Sequence, residues 1–188
     1  TQRSQDLFRM DVGDTVNEIT GIVKDWKNVD HLKVIKAVEN PSAVSELNPN
    51  EAEAFRQVKD FFDYYFLKAQ EYGIIDEFRE NYIPHIFKGK KEAVAEALEQ
   101  LRRRGARVQT NTGFARERTI LEDISTILEN PELASKLKPE TDLAKIMGIY
   151  KISLQKAIRN REMLDELVHL GPDVIRKVGE EGVEIPES

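Results

Sequence analysis

Three histidines, 34 carboxylates and a run of arginines are the reactive or ligand-holding side chains of this 188-residue chain. His31, His85 and His169 fall in three separate segments, without the His-Glu-x-x-His or paired spacing that would aim two ring nitrogens at one metal. Each reads as a packing or surface residue. No glycine-rich loop leads into Lys-Ser/Thr and no Gly-x-Ser-x-Gly turn occurs, which disfavours phosphate-loop hydrolysis of nucleotides and serine-hydrolase chemistry. With no cysteine, thiolate nucleophiles, thiolate metal sites and disulfides are excluded. A carboxylate pair such as Asp76 and Glu80 could relay protons, but solvated helix faces account for nearly all acidic residues in so acidic a chain. The reading leans against an enzyme, assigns no catalytic residue, and calls for no metal or other cofactor.

One charged segment departs from the rest. Residues 88–118 hold nine basic side chains against four glutamates, a local charge of +5, so the remaining residues sum to −11 within a net −6. Arg102, Arg103 and Arg104 stand where a helix would end, with Arg107 just beyond. Arg116 and Arg118 follow a loop rich in amide and hydroxyl donors, from Gln109 to Gly113. Converging guanidinium groups can grip phosphate or an acidic protein surface bidentately. The plainer reading is that cations favour a helix C-terminus. Phe114 alone offers a ring for base stacking, which weighs towards the plainer one.

The elements that must position these residues are helices, because apolar residues recur at steps of three and four almost throughout. The fold class is all-α, an irregular bundle of about six helices with a long C-terminal helix and a short extended tail. A first helix is expected over residues 14–26, with Val16, Ile19, Val23 and Trp26 as its apolar stripe. A second covers 30–38. The third is the most strongly signalled: Asn48 caps it, Pro49 suits its first turn, Glu51 completes a capping box, and Gly73 ends it. Seven of the chain's 14 aromatic residues lie between Phe55 and Tyr72, so this helix should form the centre of the core, with Phe62 facing inward.

Pro84 then forbids a helix, leaving Tyr82, Pro84, His85 and Phe87 in an irregular, buried structural strap. A fourth helix covers 90–104 and stops at Gly105. Thr119 and Glu122 match a capping box that would open a fifth helix through Leu128. Asn130-Pro131 and Lys138-Pro139 bracket a short helical turn. The last helix, from Thr141 or Asp142 to about Leu170, carries Leu143, Ile146, Met147, Tyr150, Leu154, Ile158, Leu164 and Val168. Gly148 within it fits either a close helix crossing or an exposed bend. The parts are 1–73 with the aromatic helix, 74–170 with strap and basic loop, and a tail 171–188; residues 1–170 are expected to form one unit. Thr1 in place of Met and the charged tail read as the cut ends of a longer chain, and the tail as an edge strand.

Three stretches, Glu80-Asn81-Tyr82-Ile83-Pro84-His85-Ile86-Phe87, Gly113-Phe114-Ala115-Arg116-Glu117-Arg118-Thr119, and Leu137-Lys138-Pro139-Glu140-Thr141 followed by Ile149-Tyr150 and Ala157-Ile158-Arg159-Asn160-Arg161, resemble a helical region of the large polyvalent proteins of tailed phages and prophages. The resemblance spans about residues 76–167 and supplies no catalytic residues. It implies a module of a larger, virion-internal or host-cytoplasmic protein, whose enzymatic activities reside in other modules. The function expected is therefore a non-enzymatic interaction or scaffolding module, partnered by other modules of its parent chain or by phage structural proteins. The alternative is a nucleic-acid-binding module using residues 88–118, which the acidic remainder disfavours. No apolar run approaches the ~18 residues of a membrane helix, and no signal peptide precedes residue 8, so secretion is not expected. From the residues alone, the strap and the arginine loop are expected to dock against the last helix, with arginine pairs satisfying carboxylates or carbonyls.

Overall fold

The Asn48 side chain accepts from the Glu51 amide at 2.8 Å while the Glu51 carboxylate accepts from the Asn48 amide at 3.1 Å, and this reciprocal pair opens the aromatic helix. The same carboxylate accepts the Asp30 amide at 2.9 Å, and the Asp30 side chain in turn caps the preceding helix. In the computed structural model, which describes residues 2–75, 80–106 and 123–170 together with the backbone of 108–110 and 118–120, the order is α1 (Gln2–Val23), α2 (His31–Glu39), a 3-10 turn (Pro41–Glu46), α3 (Pro49–Glu71), α4 (Lys91–Arg103), β1 (Val108–Thr110), β2 (Arg118–Ile120), α5 (Ile124–Leu128), α6 (Pro131–Leu137) and α7 (Leu143–Leu170). The class is all-α with a long last helix. Two short helical pieces and a two-stranded hairpin add to the roughly six helices expected. The tail 171–188 lies outside the described residues.

α3 and α4 end alike. Gly73 (φ 68°) and Gly105 (φ 89°) adopt the left-handed conformation, and the Ile74 and Ala106 amides reach back to the carbonyls of Ala69 and Leu101 at 2.8 and 3.0 Å. This closes the orphan carbonyls of both last turns.

Helices α1, α3 and α7 form the central layer. Asp11 pairs with Arg159 and Glu18 with Lys151, so α1 runs antiparallel to α7. Tyr65 of α3 meets Glu18 while Tyr72 lies near Asp11, which sets α3 antiparallel to α1 and parallel to α7. Phe62 and Phe66 pack edge-on against Tyr150, with centroids 5.7 and 5.2 Å apart. Phe62 is buried, as its place in the stripe required. The core extends over Val34, Ile35 and Val38 of α2, Ile83 of the strap and Ile124 of α5.

Two stripes need correction. α1 begins at Gln2 rather than Asp14, and it turns Asp11, Thr15 and Ile19 inward while Val16 stays 55% exposed. Residues 2–10 show no apolar period because they are solvated, so the 3.6-residue signal starts only where burial does. On α7 the stripe from Leu143 to Ile158 is buried, but Leu164 is half-buried and Val168 is 60% exposed, because among the described residues no third helix accompanies α7 to its end. At Gly148 a Cβ would sit 3.9 Å from Thr15 Cγ2 of α1, an ordinary contact, so the crossing there does not demand glycine.

A smaller apolar cluster, centred on Ala97, Leu98, Leu101, Ile127, Leu133 and Leu137, joins α4 to α5 and α6. α5 starts at Ile124, not at Thr119. Thr119 lies in β2 opposite Gln109, and the expected box is replaced by a remote cap, the Glu39 carboxylate accepting the Ile124 amide at 2.6 Å. A tertiary acceptor competes here with a local one, and β-branched Thr119 and Ile120 suit a ladder.

Candidate functional site

The basic segment becomes the exposed end of α4 and the hairpin beside it. Arg102 donates to Glu99 at 3.0 Å and Arg103 lies 3.5 Å from the same carboxylate oxygen, both guanidinium groups facing solvent. The hydrogen bond from Arg102, followed by the charges of Arg102 and Arg103, holds the Glu99 carboxyl below its usual range. Arg104 forms the helix C-cap and is exposed. Backbone pairing sets Arg118 opposite Thr110, in the hairpin whose first strand neighbours α4. Arg107 and Arg116 lie outside the described residues. One carboxylate thus shares two of the three arginines of the run.

The strap is a built element. Ile83, Pro84 and His85 are buried, with Tyr82 and Phe87 half-buried beside them. His85 Nε2 meets Glu39 Oε1, and the other oxygen of that carboxylate caps α5, so one acid at the end of α2 ties the strap to α5. Both side chains of the pair are almost wholly buried, and the Tyr82 and Phe87 rings flank the imidazole at 6.2 and 6.4 Å. The strap then zips to the lead-in of α7. Lys88 and Gly89 donate to the carbonyls of Lys138 and Leu137 at 3.0 Å, and Glu140 donates to Ile86 at 2.7 Å. Lys88 also reaches the buried Glu140 carboxylate at 3.2 Å. Burial raises the Glu140 carboxyl, but hydrogen bonds from Lys88 and from the Asp142 and Thr141 backbones outweigh it and hold the pKa below the usual range. The expected docking of the strap onto α7 is therefore corrected, and residues 111–117 of the arginine loop lie outside the described residues. The strap pairs with residues 137–140 rather than along the helix, and Arg159 is taken by Asp11 of α1.

Sequence reasoning missed a polar seam through the central layer. Arg159 donates to both Asp11 oxygens at 2.8 and 2.6 Å, and Lys151 and the Tyr65 hydroxyl both donate to Glu18 Oε2 at 2.6 Å. Asp11 and Lys151 are buried. Burial, then the bond to Glu18, pushes the Tyr65 hydroxyl far above its ordinary range, so it stays a donor. His31 was missed as well. Its Nδ1 accepts the Leu143 amide at 2.9 Å and so helps cap α7, with the Trp26 ring edge-on at 5.3 Å. A pair of carboxylates seven residues apart on α1, Asp11 and Glu18, matched by Lys151 and Arg159 on α7, was the available signal. It is invisible until the two helices are known to be antiparallel neighbours.

At its outer end the seam opens into a groove of about 600 Å³ between α1 and α7. Leu7, Phe8 and Met163 are its apolar lining, and Arg3, Asp11, Lys156, Arg159, Glu162 and Glu166 line it with both signs of charge. Among the described residues no group of three or more His, Asp or Glu side chains could hold a metal ion, and no helix is long and apolar enough to cross a membrane. No family model, no curated protein and no solved structure matches the chain.

Proposed function

We propose that this chain is a helical interaction module of a larger phage-encoded protein, holding partners rather than transforming substrates. The observation that carries the reading is the groove between α1 and α7, where Phe8 is 53% and Met163 37% exposed beside charged residues of both signs. Such a surface buries side chains against another polypeptide. The polar groups best suited to proton transfer, His85 with Glu39 and Tyr65 with Glu18, are engaged in tying elements together, which further supports the reading. Parent genes flanked by virion structural genes are expected. Flanking by metabolic genes throughout would overturn the phage assignment.

The second reading is nucleic-acid binding at the end of α4, favoured by the exposure of Arg104 beside two further arginines. Gel-shift titration at two salt concentrations separates the two, since phosphate contacts impose a steep salt dependence. No salt-steep binding is expected, because the acidic remainder of the chain repels a polyanion beyond ~8 Å of the patch at physiological ionic strength. Tight, salt-sensitive binding that weakens when Arg102, Arg103 and Arg104 become Gln would overturn the interaction reading.

A further inference from the structure

α1 is held in two different ways along its length. Its last turn joins the main apolar cluster, with Ile19 buried in it and Ile22 and Val23 packed against it, followed by Trp26 in the turn beyond. No residue before Ile19 joins either apolar cluster. There the buried side chains are Asp11 and Thr15, while Leu7 and Val12 are half-buried. Among the described residues two ion pairs join α1 to α7, Asp11 with Arg159 and Glu18 with Lys151. Glu18 stands next to Ile19 and also accepts from the Tyr65 hydroxyl of α3, so it belongs to the anchored end. Asp11 lies two turns upstream, with its guanidinium partner in place of apolar packing.

Between the two pairs the seam is poorly satisfied. Thr15 is 2% exposed and its Oγ1 has no hydrogen-bond partner. Neither has the buried Oε1 of Gln155, which lines a cleft together with Asp11 and Arg159. An oxygen buried without a partner destabilises the closed arrangement, and opening relieves it. The helix itself resists little. Gly13, where a Cβ would meet nothing within 4 Å, weakens it with no packing in return, and its first turn holds no acidic residue to meet the helix dipole.

We propose that residues 2–17 are a lid, which leaves α7 while the rest of the fold stays closed. Glu18 and Ile19 are its pivot and the Asp11–Arg159 pair is its latch. Because most of a helix's stability comes from the face it packs, the freed segment unwinds as it leaves. Opening removes Leu7, Phe8 and Asp11, which form the α1 wall of the groove, so that surface exists only while the latch is closed. This consequence for docking rests on the interaction-module reading. The opening itself does not.

The chain has no cysteine, so one introduced thiol in the intact chain is a unique probe. Thr15→Cys places it under the lid, Ile19→Cys at the pivot and Val58→Cys in the core, all three at buried positions. Labelling with an aromatic disulfide reagent is followed across a urea series below the unfolding midpoint. Thr15→Cys should label at least about tenfold faster than Val58→Cys and with a flatter urea dependence, since a local opening exposes little surface. Ile19→Cys should follow Val58→Cys. Adding Asp11→Ala should speed the labelling of Thr15→Cys at least about tenfold more. Hydrogen exchange of the unsubstituted chain asks the same question without a new side chain. Amides of residues 11–17 should exchange together, ahead of those of α3 and with the flatter urea dependence. Equal urea slopes at Thr15→Cys and Val58→Cys, equal labelling at Thr15→Cys and Ile19→Cys, no acceleration by Asp11→Ala, or exchange graded smoothly from residue 2 to 17 as an end frays would each overturn the lid. All of these are measured without a partner, so they leave the gel-shift outcome untouched and a failed lid is told apart from a failed interaction reading.

Discussion

Gly89 shows how one residue can fix an element's path. A Cβ there would sit 2.0 Å from the Lys136 carbonyl oxygen and 3.0 Å from Val94 Cγ2, so the strap can zip to residues 137–140 only where the side chain is a hydrogen. Gly89→Ala should cost about 3 kcal/mol by overpacking against backbone that cannot yield, read as a lower urea midpoint at unchanged slope. Glu140, one step along the same ladder, gives a pH signature. Its pKa is depressed in the folded state, so its contribution is complete above the ordinary carboxylate range and is lost as pH falls through the depressed value. Glu140→Gln should therefore be less stable than the parent chain near neutrality, and should lose less on acidification below the ordinary carboxylate pKa. An unchanged acid limb would mean that the Lys88 contact contributes nothing.

Among elements, α1 turns a largely polar face inward. Its buried face is Asp11, Thr15 and Ile19, and the first of these is buried while its partner Arg159 keeps about a third of its side chain in water. The two halves of the pair should therefore respond unequally. Arg159→Ala strands a buried carboxylate and should cost about 3–5 kcal/mol, whereas Asp11→Ala leaves a guanidinium that can rehydrate and should cost clearly less. Equal losses from both in thermal unfolding would contradict the burial difference. For α3 the interaction is apolar instead. Phe62 is 1% exposed and packs on Phe66 and Tyr150, so Phe62→Ala should lose about 3–5 kcal/mol through the cavity left behind. The cap of α3 was legible because Asn48 and Glu51 lie beside the helix they cap. The caps of α5 and α7 come in part from Glu39 and His31, which are 85 and 112 residues distant, and no local pattern encodes them.

Across the whole chain the two apolar clusters differ in size, and their stabilities should differ in the same order. Amides of α3 and α7 over residues 143–158 should be the slowest to exchange with deuterium, while those of α4 and α6, resting on the smaller cluster, should open first. Uniform protection across both would show a single cooperative unit. Local signals were enough for the class, the bounds of α3 and α4, the non-helical strap and the inward face of Phe62, because helix period, capping residues, proline and glycine act within a few positions of where they stand. They also marked the basic segment, as composition is local. The start of α1, the opening of α5 and the α1–α7 seam with its groove were beyond them. Those depend on which helices become neighbours and in which direction they run. A carboxylate such as Asp11 is one acid among 34 until folding brings Arg159 to it. An arm such as residues 2–10 is ordinary polar helix until α3 ends before reaching it.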